Sequence, residues 1–117
     1  MPLVEIVPQA ETSGEVVDCV QKRLRRGGEI PIVLRREVPG FIGNRSAFAL
    51  QREAMNLVDQ DIASPEEIDE VVRTGFGRRI MARGVFGTAD LGGLDVYNAN
   101  RRWLFSHLRD RKEPSRK

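Results

Sequence analysis

Two short apolar runs, separated by one helix's length of chain, constrain this sequence more than anything else in it. The first is residues 2–7, PLVEIV, and the second is residues 30–35, IPIVLR. Each is rich in β-branched residues and bounded by turn formers, as strands are. Between them Val16, Val17, Val20 and Leu24 recur at helical spacing on a charged segment. Thr12 and Glu15 fit a capping box at its start, and Gly27-Gly28 a stop at its end. Strand, helix and strand in that order make one βαβ unit with parallel strands and a right-handed crossover. The continuous apolar second run predicts a strand buried on both faces. Pro31, which has no N–H, should stand at its start or turn toward an unpaired side. Two parallel strands leave two bare edges. The unit is therefore expected to join a larger sheet outside this chain, or to be covered by a second copy.

The rest of the chain reads as helices, so the fold class is mainly α with one N-terminal βαβ unit. Pro39 and Gly40 end the second strand and open a long helix over about residues 41–62. Phe41, Phe48, Met55, Val58 and Ile62 form one apolar row on it, and Leu50, Ala54 and Leu57 an adjoining one. So wide a stripe suggests more than one neighbour, another subunit among the candidates, and makes this helix the expected main source of buried area. Ser64-Pro65-Glu66-Glu67 combines an N-cap, a proline at the first helical position and a capping-box glutamate. Ile68, Val71 and Val72 give that helix its buried side, and Gly75 its stop. Residues 75–88, with Gly75, Gly77, Gly84 and Gly87, read as a loop, and residues 89–91 as a short turn or helix. Val96, Ala99, Trp103 and Leu104 mark a last helix ending near His107 or Leu108. The expected division is a βαβ unit over residues 1–38, a helical part over 39–110 and a mobile tail over 111–117.

Composition excludes several classes of function. With 31% charged and 6% aromatic residues, the 117-residue chain is an ordinary soluble domain. Its net charge of +2 and a basic C-terminal stretch without interleaved aromatics argue for a solvated surface and against a nucleic-acid partner. No apolar run approaches 18 residues, so no membrane span is expected, and no secretory leader pattern is present. A single cysteine, Cys19, permits no internal disulfide, suits a cytoplasmic location and reads as a small core filler. His107 is the only histidine, so neither a zinc site nor a Ser/His/Asp triad can be built; no metal is expected. It reads as a structural residue in the last turn of a helix. The GFG at 75–77 lacks the further glycine and the leading strand of a dinucleotide fingerprint. Gly40 and Gly43, at a helix start where backbone amides can hold an anion, read first as a plain turn.

Two polar residues stand out. Glu5 places a carboxylate in an apolar strand, which costs free energy unless it is paired. An arginine of the neighbouring strand, Arg35 or Arg36, is the obvious partner. Asn44 opens the long helix between Gly43 and Arg45, where it caps or fills.

The segments PLVEIV, VPGFIGNR, REAMNLVDQDIASPEEIDEVVRTGFGRR and GLDV, in this order and spacing over nearly the whole chain, resemble the L-3-hydroxyacyl-CoA dehydrogenases. The resemblance implies the last strands of an NAD-binding Rossmann domain followed by most of a helical C-terminal domain of the 6-phosphogluconate/3-hydroxyacyl-CoA dehydrogenase type. It implies oxidation of a 3-hydroxyl to a ketone, as in fatty acid metabolism, on an acyl-CoA, or on a free hydroxy acid of the gulonate or carnitine kind. It places Glu5 as the carboxylate that orients a catalytic histidine, and Asn44 beside the substrate. It implies a homodimer formed through the helical part. That histidine belongs to an H-x-x-N-P segment expected just before Pro2, so Glu5 is expected to orient a histidine this chain does not carry. The glycine fingerprint is not in the chain either, so no cofactor is expected to bind it alone, and NAD is the expectation for the full-length relative. The family's final segment ending in G-F-Y is also missing, and Gly84-Val85-Phe86-Gly87 stands where the family usually has Gly-Pro-Phe-Glu. A stand-alone dimerisation or binding module derived from the family is the alternative.

Overall fold

The structure, a computed structural model, describes residues 1–110. The tail expected over 111–117 lies outside them. The element order is β1 (Leu3–Ile6), α1 (Gly14–Arg26), β2 (Ile30–Val33), α2 (Gly43–Asp59), α3 (Pro65–Thr74), α4 (Phe76–Leu91) and α5 (Leu94–Leu104). The chain divides into two compact units, Met1–Phe48 and the part from Ala49 onward. No helix among the described residues is long and apolar enough to cross a membrane.

In the first unit β1 and β2 pair in parallel, Leu3 with Ile30, Val4 with Pro31, Glu5 with Ile32 and Ile6 with Val33. Both strands are shorter than the sequence suggests. Paired residues share a face. Val4, Ile6 and Val33 are half-buried and Pro31 buried, whereas Leu3, Ile30 and Ile32 are 45%, 56% and 41% exposed. The second strand is therefore not buried on both faces. The amides of Ile30 and Leu34 donate to Pro2 and Ile6, so by alternation position 31 turns to the outer edge. Pro31 thus stands where a missing N–H breaks no bond, the second of its two expected places. Among the described residues only Pro31 and Leu34 are buried.

Helix α1 starts one residue later than the sequence suggests. The Ser13 hydroxyl accepts from the Val16 amide at 3.4 Å, while the Thr12 hydroxyl accepts from the Gln9 amide at 3.1 Å and holds the preceding turn. Thr12 and Glu15 do not form a capping box. The half-buried stripe is Val17, Gln21 and Leu24; Val16 and Val20 are exposed. Cys19 is exposed as well, so it is no core filler: it lies on the charged side of the helix with Glu15, Lys22 and Arg26. Gly27 and Gly28 end the helix as expected, Gly28 at φ +84°.

In the second unit the C-terminal half of α2 carries half-buried Ala54, Met55, Leu57 and Val58. No residue of α2 is fully buried, so its expected large buried area is not found among the described residues. Arg109, with a side chain only 8% exposed, reaches back to this helix. Its amide donates to Glu53 at 2.8 Å and its guanidinium to Asp59 at 3.2 Å. Helix α3 has the full capping box: the Ser64 hydroxyl accepts from the Glu67 amide at 3.2 Å, and the Ser64 amide donates to the Glu67 carboxylate at 2.8 Å. His107 keeps a structural role at the end of α5, its Nδ1 2.9 Å from the Trp103 carbonyl and its ring 4.5 Å from the indole.

The glycine-rich stretch expected as a loop is helix α4 with a kink. Gly84, at φ +74° and ψ 179°, breaks the helix into two arms, a conformation that glycine alone adopts readily. The Thr88 hydroxyl donates to the Gly84 carbonyl at 2.6 Å and lies 3.3 Å from the Arg79 carbonyl, bracing the arms against each other. Gly77 serves close packing: a Cβ there would lie 2.4 Å from the Val72 carbonyl oxygen of α3. Gly77→Ala should therefore lower stability by about 1–3 kcal/mol. Urea unfolding checks this, and an unchanged midpoint would show that α4 does not approach α3 so closely.

Candidate functional site

Glu5 finds its partner in the backbone. Its Oε1 accepts from the Ile42 amide at 2.7 Å and its Oε2 from the Gly43 amide at 3.2 Å. Those amides belong to the start of α2, where the first N–H groups of a helix have no partner inside it. The chain reaches this position through the turn at Gly40 and Phe41, at φ +78° and +49°, closed by the Phe41 amide on Val38 and the Arg45 amide on Gly40. Arg35 and Arg36, the expected partners, do not hold the carboxylate. The positive end of the helix dipole and two convergent amides offer it fixed hydrogen bonds without the ordering of a long side chain. Gly43 keeps the approach short, since a Cβ there would lie 3.3 Å from Glu5 Oε2. The helix start read as a plain turn thus does hold an anion, and the anion is Glu5.

Glu5 is half-buried and Asn44, the next residue along α2, is exposed. The structure therefore brings the two expected site residues to one place in the first unit. Each carboxylate oxygen of Glu5 accepts one amide hydrogen and retains capacity for a second donor. What sequence reasoning missed is the role of the Ile42 and Gly43 amides. Its signal was the glycine-flanked helix start, read apart from the strand carboxylate.

The described residues do not fit a dinucleotide. In the β1–α1 turn the Ser13 hydroxyl already takes the Val16 amide, and the segment QAETSG lacks the spaced glycines that let a backbone approach a pyrophosphate. No group of three or more His, Cys, Asp or Glu among the described residues is placed to hold a metal ion.

The sequence profile of the 3-hydroxyacyl-CoA dehydrogenase C-terminal domain matches residues 40–117, more than half of the chain. The chain belongs to the 3-hydroxyacyl-CoA dehydrogenase family. It is 33% identical over 113 residues to the 5-formyl-3-hydroxy-2-methylpyridine 4-carboxylate 5-dehydrogenase of Mesorhizobium japonicum, covering 97% of this chain and 37% of that protein. It is 42% identical over 93 residues to a 3-hydroxyacyl-CoA dehydrogenase of Gibberella moniliformis, covering 80% of this chain and 29% of that one. It is likewise 42% identical over 96 residues to the L-carnitine dehydrogenase of Pseudomonas putida, covering 82% and 30%. A crystal structure of a 5-formyl-3-hydroxy-2-methylpyridine 4-carboxylic acid 5-dehydrogenase, described as an NAD+-dependent dismutase, matches with a TM-score of 0.92 at 32% identity. That match covers 98% of this chain and 37% of the other. The chain thus spans about a third of the length of these relatives. Membership agrees with the mainly helical fold and its N-terminal βαβ unit.

Glu5→Gln keeps the shape of the side chain but turns an NH2 group toward one of the two amides. It should lower stability by about 1.5–3 kcal/mol, the range for a hydrogen bond to a charged group. Chemical denaturation measures this; an unchanged midpoint would mean that the carboxylate does not hold the helix.

Proposed function

We propose that this chain is the C-terminal part of an NAD-dependent dehydrogenase of the 3-hydroxyacyl-CoA type, which oxidises a 3-hydroxyl to a ketone. The observation that carries the reading is a strand carboxylate fixed by the amides of Ile42 and Gly43 in a chain of this family. In this reading Glu5 is a positioning residue. It accepts a hydrogen bond from the ring N–H of a histidine outside the chain, fixes that histidine's tautomer and stabilises the imidazolium formed as the substrate hydroxyl loses its proton. The two amides hold the carboxylate in one orientation while leaving each oxygen a further acceptor site. Asn44, exposed beside it, offers its side-chain amide to the substrate. NAD is the hydride acceptor in this reading and is bound by the nucleotide-binding part of the enzyme.

Relatives of two substrate kinds match at the same identity, since the 3-hydroxyacyl-CoA dehydrogenase and the L-carnitine dehydrogenase are each 42% identical to the chain. An acyl-CoA substrate and a free hydroxy acid both suit the Glu5 chemistry. The reading includes a homodimer, supported by the apolar side chains that stay exposed on the helices, among them Phe48 at 66% and Phe86 at 85%. The same exposure favours the second reading, a dimerisation module without catalysis. Light scattering separates these readings from a free-standing domain: a dimer is expected, and a clean monomer at high micromolar concentration would count against both.

The 117-residue chain alone should produce no NADH from NAD and 3-hydroxybutyryl-CoA. Combined with the nucleotide-binding part of the Gibberella relative, it should restore turnover. In that assembly Glu5→Gln should lower kcat by about 10²–10⁴ with little change in KM, the range for a disrupted general base. NADH formed by the chain alone, or an unaffected kcat in the variant, would defeat the reading.

A further inference from the structure

The kink of α4 builds a concavity that the dehydrogenase reading does not use. Gly84 turns the second arm of the helix, and the Thr88 hydroxyl ties the arms together. Between them and the start of α5 lies a cleft of about 460 Å³, within the size range of small-molecule sites. Phe76, Ile80, Val85 and Tyr97 supply much of its apolar wall, and Arg79 and Arg83 supply its charge.

The two arginines are one helical turn apart, so they share a face and repel each other. Neither has a carboxylate partner among the described residues: Glu70 pairs with Arg73, while Glu53 and Asp59 serve Arg109. Two guanidinium groups without a carboxylate partner among the described residues, beside an apolar, partly enclosed wall, call for an anion that carries an apolar body. A guanidinium matches a carboxylate in its plane through paired hydrogen bonds, and aromatic residues such as Phe76 and Tyr97 suit a flat or compact body.

We propose that the elbow of α4 is a binding site for a carboxylate on a compact apolar body, held by Arg79 and Arg83. The site is formed within α4 and α5, so it stands independently of the Glu5 reading and is read by binding alone. The carboxylate is either that of a free hydroxy-acid substrate, one of the two substrate kinds of the dehydrogenase reading, or that of a separate small acid.

The test uses the whole chain with benzoate as probe, followed by NMR of the Tyr97 ring and the arginine side chains. Saturable shifts at Tyr97, Arg79 and Arg83 are expected with benzoate and not with benzamide, its uncharged counterpart. Arg79→Gln and Arg83→Gln should each weaken binding by about tenfold or more, as the loss of a charged hydrogen bond does. Arg101→Gln, which removes the same charge outside the cleft, should not. Arg83→Lys, which keeps the charge and loses the planar fork, should fall between wild type and Arg83→Gln. Benzamide binding as well as benzoate, inorganic phosphate displacing benzoate at equal concentration, or full affinity in Arg83→Gln would overturn the proposal. Turnover of the assembled enzyme on a free hydroxy-acid substrate with benzoate present then separates the sources: competition with that substrate assigns the cleft to its carboxylate, and inhibition or activation without competition to a separate acid.

Discussion

The contact on which the first unit depends joins one carboxylate to two backbone amides. Glu5 and Ile42 are 37 residues apart in sequence, and the bond between them attaches the start of α2 to the middle of β1. Each side brings a group that is costly when left unpaired. The strand brings a half-buried negative charge, and the helix brings donors with no acceptor of their own. Bringing them together satisfies both, and the helix dipole adds to the attraction. In a unit whose only buried residues are Pro31 and Leu34, polar geometry carries much of the specification that a packed core provides elsewhere.

The same contact connects fold with chemistry. It sets the Glu5 oxygens in a defined direction and places the first turn of α2, with Asn44, next to them. In the proposed reaction Glu5 positions a histidine and must itself be held, and backbone amides hold it more rigidly than a surface arginine would. The chain covers about a third of its relatives' length, and the proposed reaction draws on groups from the remainder.

Local signals in the sequence were legible where one residue type has one dominant use. The Ser64 capping box, the Gly27-Gly28 stop and the order of strand, helix and strand all stand as read. Thr12 and Ser13 are adjacent and equally able to cap, and only the preceding turn, which uses the Thr12 hydroxyl, decides between them. The glycines of residues 75–88 were read by their flexibility, yet Gly77 is there for its small size and Gly84 for a single kink. That Glu5 needs a partner was legible, but which partner was not. A sequence displays side chains, and the groups that hold Glu5 are main-chain amides freed only once α2 exists.

Pro31 has a further consequence. With its ring nitrogen turned outward, the outer edge of β2 cannot offer a full ladder of hydrogen bonds to another strand. The outer edge of β1, where the amides of Leu3 and Glu5 point by alternation, has no such gap. The sheet therefore has a preferred direction of growth: the outer edge of β1 offers every outward amide, and that of β2 lacks one. A strand that adds beside β1 joins the strand that carries Glu5, while the opposite border pairs with one hydrogen bond fewer.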